Sequence, residues 1–116
     1  MFITVLGVAY KGNVDDIEET PALRFVQLAE NEGYTVKIND PWVKHFEYQL
    51  CPLEEAAQDS DCLVLITDHS QFKQIEPQKV SMLVRNKNLV DTRNVLDHKK
   101  WEQAGFKIKV LGDGTR

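Results

Sequence analysis

The sequence predicts an α/β domain of Rossmann-like type, a doubly wound parallel sheet between two helical layers in a three-layer α/β/α arrangement. Three observations lead there. Residues 2–6 and 62–66 are short, nearly continuous apolar runs, the mark of strands buried on both faces. Segments with helical spacing and their own start and stop residues separate the runs. The connections are short, and strands alternating with helices in this way close a right-handed parallel sheet.

The elements follow in order. Residues 2–6 form the first strand, ending at Gly7, where the backbone can approach a neighbour closely. Thr20 is a good N-cap, Pro21 suits the first helical position, and Gly33 supplies the left-handed residue that ends the helix. Between them Ala22, Leu23, Val26 and Ala29 recur on one face, leaving Arg24, Gln27, Glu30 and Asn31 to solvent. Residues 34–39 form the second strand and stop at Asp40-Pro41. Phe46, Tyr48 and Leu50 alternate as a short edge strand would, and residues 53–58 fit one or two helical turns. After the strand at 62–66, Phe72, Ile75, Val80, Met82 and Leu83 suggest a helix broken around Pro77. Residues 88–90 are the next strand. Asp97 then caps a helix with Trp101 and Ala104 inward and Gly105 at its end, and residues 106–111 are the last strand. The reading gives one domain over residues 1–112 and a frayed tail over 113–116.

Composition bounds the function. A chain of 116 residues makes one domain of ordinary size, and 42% hydrophobic with 28% charged residues is a globular composition. No apolar run approaches the ~20 residues of a membrane span. The opening residues lack a basic start and a small-residue cleavage site, so they read as a strand and not as a signal peptide. A net charge of −4 argues against a nucleic-acid partner, which needs clustered Lys and Arg, but leaves room for a small anion held by placed cations. Cys51 and Cys62 are too few and too far apart for a disulfide framework or a zinc site and read as buried thiols of a reducing, cytoplasmic compartment.

In open α/β sheets ligands sit outside the carboxyl ends of the strands. Those ends carry Lys11, Asp40, Asp68 with His69, and Arg93 with Asn94, so two cations, Lys11 and Arg93, face one crevice. The first loop has neither the Gly-x-Gly-x-x-Gly dinucleotide fingerprint nor the Gly-Lys-Ser/Thr of a phosphate loop. Its four acids, Asp15, Asp16, Glu18 and Glu19, suit a structural place near a helix start and would repel an anion there. Arg93 has the fork to grip a phosphate bidentately, with a salt bridge to Asp91 or Asp68 as its common alternative. His69 reads as a capping or surface histidine, and His45 and His98 show no partners.

Gly7-Val8-Ala9-Tyr10-Lys11, then Asp15-Asp16-Ile17-Glu18-Glu19-Thr20-Pro21-Ala22, Asn39-Asp40-Pro41, Thr67-Asp68-His69 with Phe72, and Asp91-Thr92-Arg93-Asn94 form an ordered set. Together they resemble the C-terminal, UDP-binding domain of the UDP-glucose/GDP-mannose dehydrogenase family over residues 3–112. The resemblance implies an NAD-dependent enzyme that oxidises the C6 hydroxyl of a nucleotide sugar to a carboxylate through a thioester on a cysteine. That cysteine and the NAD-binding domain lie upstream of the part seen here, and neither Cys51 nor Cys62 matches it. The chain is then a UDP-sugar-binding domain, inactive without its missing N-terminal catalytic domain, from an enzyme expected to be a homodimer. By position, the resemblance makes Tyr10 and Lys11 contacts to the nucleotide sugar and Arg93 the arginine that reaches the substrate. Glu18 stands where the family commonly has an arginine near the cofactor, so no cofactor contact is carried over. Thr67-Asp68-His69 resembles the N-acetyl-hexosamine dehydrogenase branch. A stand-alone nucleotide-binding or regulatory module is the alternative. A phosphoacceptor domain is disfavoured, since no acidic pair directly follows the first strand.

Overall fold

The computed structural model describes residues 1–15, 17 and 20–111. Five strands, β1 (Phe2–Leu6), β2 (Thr35–Asn39), β3 (Cys62–Leu65), β4 (Asn88–Asp91) and β5 (Lys107–Val110), pair in parallel in the order β2-β1-β3-β4-β5. The connections run through α1 (Pro21–Asn31), α2 (Leu53–Ala57), α3 (Ser70–Lys73), α4 (Pro77–Ser81) and α5 (His98–Gln103). The predicted Rossmann-like architecture is the observed one.

Strand order dictates which face each helix covers. The step from β1 to β2 runs one way along the sheet and every later step runs the other, so crossovers of one hand place α1 opposite the rest. Two apolar clusters record this. Val5 and Ile38 pack with Ala22 and Val26 of α1 on one face. On the other, Leu6, Leu63, Leu65 and Leu89 pack with Ala57, Phe72, Val80 and Trp101 from the remaining helices. Register keeps each set together, with Leu6 beside Leu65 and Val5 beside Ile38. On the α1 side no described helix covers the β4–β5 half of the sheet, and Lys107 and Lys109 are exposed there beside Val90.

Local signals explain the helix ends. Thr20 Oγ1 accepts the Ala22 amide at 3.3 Å, Pro21 begins α1, and Gly33 takes φ 92° past its end. Asp97 accepts the Lys100 amide and caps α5. The expected 46–50 edge strand reduces to one parallel bridge from Leu50 to Ile38, because the segment leaves the sheet edge after a single register position. Pro77 divides α3 from α4 as expected, but Met82 is 85% exposed, standing past the end of α4. The thiols are half-buried and free rather than fully buried. Residues 113–116, read as a frayed tail, lie outside the described residues.

Leu65 is fully buried in the apolar cluster beneath α2 to α5, so Leu65→Ala is expected to cost about 2–5 kcal/mol through lost burial and a residual cavity. Met82→Ala should stay within about 0.5 kcal/mol of the parent. Urea unfolding followed by circular dichroism measures both.

Candidate functional site

The sheet order reverses between β1 and β3, which puts the ligand crevice of such a fold at the loops following those strands. The β1 loop is drawn tightly onto the β3 loop. Gly7, at φ 96°, lies so close to Thr67 that a Cβ would overlap the threonine side chain. A Cβ on Gly12 would stand 2.6 Å from both the carbonyl oxygen and Oδ1 of Asp68. Buried Thr67 donates from Oγ1 to the Ala9 carbonyl at 3.0 Å, fixing the turn that leads to Tyr10.

Two strand-terminal aspartates organise the remaining loops. Asp40, after β2, is buried and accepts four hydrogen bonds. Oδ1 takes the amides of Trp42 (2.7 Å) and Val43 (2.9 Å), while Oδ2 takes the Val8 amide (2.8 Å) and His69 Nε2 (2.9 Å). Asp91, the last residue of β4, is fully buried and shapes the Arg93 loop in the same way. Its Oδ1 accepts the amides of Arg93 (3.1 Å) and Asn94 (2.8 Å), and its Oδ2 those of Val95 and Leu96 (both 3.0 Å) and His98 Nε2 (2.8 Å). Burial works against the Asp91 charge, but the bonds from His98 and the backbone amides outweigh it and hold the carboxyl below the ordinary carboxylate range.

The structure places the three sequence-derived site residues as follows. Tyr10 is 51% exposed and Lys11 is exposed, on the turn before Gly12. Arg93 is also exposed, and its Nη2 lies 3.8 Å from Asp68 Oδ1, an ion pair longer than a hydrogen bond. Asp68 therefore meets both the β1 loop, at Gly12, and the β4 loop, at Arg93. That brings the Lys11 turn and Arg93 to a common junction, and the bridge to Asp68, not Asp91, is the one formed.

Two expectations about histidine are corrected. His69, read as a capping or surface residue, does stand at the N-cap of α3, though without a side-chain cap bond, and it is fully buried instead of surface-facing, because loops from three strands close over its ring, with Trp42 stacked at 6.2 Å and Phe72 at 5.6 Å. His98, read as lacking a partner, bonds Asp91. Asn13 was not singled out by the sequence reading. It holds φ 58°, and its Oδ1 accepts the amide (2.9 Å) and hydroxyl (3.1 Å) of Ser70. Its one signal is a Gly-Asn pair in a long loop, since asparagine tolerates the left-handed region. Of the four acids, Asp15 is exposed, and Asp16, Glu18 and Glu19 lie outside the described residues, as does the question raised at Glu18.

Gly7 and Gly12 press the β1 loop onto Thr67 and Asp68, so this pair does not form the glycine cradle of a dinucleotide diphosphate. Among the described residues no group of three His, Cys, Asp or Glu is placed to hold a metal ion. No described helix is long and apolar enough to cross a membrane. Burial raises the pKa of both thiols, assisted at Cys51 by Glu55 and at Cys62 by Asp61.

Residues 4–98 match the profile of the UDP-glucose/GDP-mannose dehydrogenase family, UDP binding domain. The chain belongs to this family. A UDP-N-acetyl-D-mannosamine dehydrogenase of Methanococcus vannielii is 41% identical to this chain over 116 residues, covering 97% of the chain and 27% of the relative. The solved structure of the UDP-D-ManNAc dehydrogenase from Pyrococcus horikoshii superposes with a TM-score of 0.82 at 34% identity, over 97% of this chain and 26% of that one. An NDP-N-acetyl-D-galactosaminuronic acid dehydrogenase from Methanosarcina mazei Go1 shares the fold, with a TM-score of 0.89 at 24% identity over 96% of this chain and 24% of that one. The chain thus spans about a quarter of the length of the relatives it matches. The stand-alone alternative gains no support from them.

The Asp91 carboxyl sits below its ordinary value of 3.8, so the unfolded chain takes up this proton first as pH falls. The stability it contributes is full above about pH 4 and is lost as pH drops through the depressed folded value. Asp91→Asn is expected to flatten this acid limb, with urea midpoints compared from about pH 2 to about pH 6 as the measurement.

Proposed function

We propose that this chain is the UDP-sugar-binding part, residues 1–112, of an NAD-dependent UDP-sugar 6-dehydrogenase that oxidises the C6 hydroxyl to a carboxylate. Tyr10 and Lys11 contact the nucleotide sugar from the β1 loop, and Arg93 reaches the same ligand from the β4 loop. The observation that carries the reading is the junction at Asp68, where an exposed cation on one loop and the turn bearing another come together at the topological switch of a family member's sheet. There Lys11 supplies a mobile point charge and the Arg93 guanidinium a planar fork suited to a diphosphate. The half-exposed Tyr10 ring offers an apolar face with a polar tip to a base or sugar.

Carried over from the relatives' names, the sugar is an N-acetylhexosamine, in keeping with Thr67-Asp68-His69. NAD is bound mainly by a part of the enzyme outside this chain. The assembled enzyme is a cytoplasmic homodimer, and this chain by itself is inactive. Half-buried Cys51 and Cys62, with their pKa values raised, are poor thiolate nucleophiles, which supports placing the catalytic cysteine elsewhere.

Titration with UDP and UDP-N-acetylhexosamines, followed by amide shifts, should perturb Tyr10, Lys11 and Arg93. Lys11→Ala and Arg93→Ala should each weaken UDP binding about ten- to a hundredfold, the scale of one lost hydrogen bond to a charged group. No shift at these residues with millimolar UDP would overturn the assignment.

A further inference from the structure

We propose that His69 is a positioning residue of this site, whose neutral imidazole fixes where the Tyr10–Lys11 turn stands by accepting the Asn13 amide. The inference rests on the UDP-site reading above for its functional consequence, but its geometry stands on its own.

The ring is fully buried and both nitrogens are engaged. Asn13 N lies 2.8 Å from Nδ1, and Asp40 Oδ2 lies 2.9 Å from Nε2. A backbone amide only donates, so Nδ1 must be the bare acceptor nitrogen. Nε2 then carries the proton and donates it to Asp40, whose other three hydrogen bonds also come from donors. Tautomer and ring orientation are therefore set from both sides.

Three consecutive residues after β3 take hold of two consecutive residues of the β1 loop. Asp68 packs its carbonyl and Oδ1 against Gly12, His69 accepts the Asn13 amide, and Ser70 binds the Asn13 side chain from its amide and hydroxyl. Lys11 immediately precedes this clamp. Asn13 sits at φ 58°, a left-handed conformation that asparagine tolerates without preferring it, so these partners help to hold the backbone there. Of the grips on Asn13 among the described residues, only the His69 bond reaches its backbone amide, and it links the turn through the ring to Asp40 and the β2 loop. The clamp spares an arriving ligand part of the cost of ordering the turn.

Two substitutions separate the ring's two bonds. In His69→Asn the side-chain carbonyl oxygen occupies the place of Nδ1 and can accept from Asn13, while the contact with Asp40 is lost. In His69→Gln the terminal amide occupies the place of Nε2 and can donate to Asp40, while the acceptor for Asn13 is lost. Both lose the packing of the ring against Trp42 and Phe72, so a purely structural histidine would make them equivalent. The expected result on this 116-residue chain is similar destabilisation by heat but different sites. His69→Asn should keep the Asn13 amide protected from hydrogen exchange and UDP affinity within about twofold, whereas His69→Gln should expose that amide and weaken UDP about five- to tenfold.

Equal behaviour of the two variants in exchange and affinity overturns the proposal. If the parent chain binds no UDP, the ligand reading falls while Asn13 protection and the Lys11 resonances still decide the positioning role. Should either variant fail to fold, the 15N spectrum of His69 in the parent decides it. An unprotonated Nδ1 coupled across the hydrogen bond to Asn13 upholds the assignment, and a proton on Nδ1 at neutral pH refutes it.

Discussion

The carboxyl end of the sheet depends on one buried carboxylate. Removing the Asp40 charge from water costs several kcal/mol, and the fold recovers that only by bringing hydrogen-bond donors to it. The donors come from three loops: Val8 after β1, Trp42 and Val43 after β2, and His69 after β3. Satisfying a single side chain therefore assembles the three loops into one surface. Asp91 repeats the solution around the Arg93 loop, again with a histidine as the last donor.

The same economy appears at the amino end of the sheet, away from the site. Asp61, just before β3, accepts the Phe2 amide at 2.8 Å and the Asn86 side chain at 2.6 Å, with Arg85 at 3.6 Å. The Phe2 bond leads in lowering its pKa, burial opposes it, and Asn86 and Arg85 add to the lowering. Apolar registry decides which strands lie together, and charged residues at strand boundaries decide how their ends meet. The division is physical: apolar burial is non-directional, whereas a buried carboxylate requires donors at fixed distances and angles.

What the sequence made legible follows from that division. β1 and the ends of α1 could be read because their signals are local, an apolar run before Gly7 and the Thr20-Pro21 and Gly33 pair. β5 came out shorter at both ends than the expected 106–111. Lys11 and Arg93 could be nominated because strand ends were visible and cations were scarce there, whereas Tyr10 came only from the family resemblance. The burial of His69 could not be read, since its partners Asp40 and Asn13 lie 29 and 56 residues away along the chain. A histidine between aspartate and serine at a strand end looks solvent-facing until three loops are placed around it. The His98 bond to Asp91 spans only seven residues, yet it needs the turn that Asp91 itself creates.

The two margins of the sheet are unlike each other. β2 is flanked by the segment carrying Leu50, with Cys51 N donating to the Ile38 carbonyl at 2.7 Å, so part of its outer row of backbone groups is already occupied. β5 has no such cover among the described residues, but its four residues alternate with two exposed lysines. A second β5 laid alongside would bring like charges together, and a run of four residues offers few bonds in compensation. Growth of the sheet by strand addition is thereby discouraged at both margins, so a domain with five parallel strands offers little edge on which to template its own aggregation.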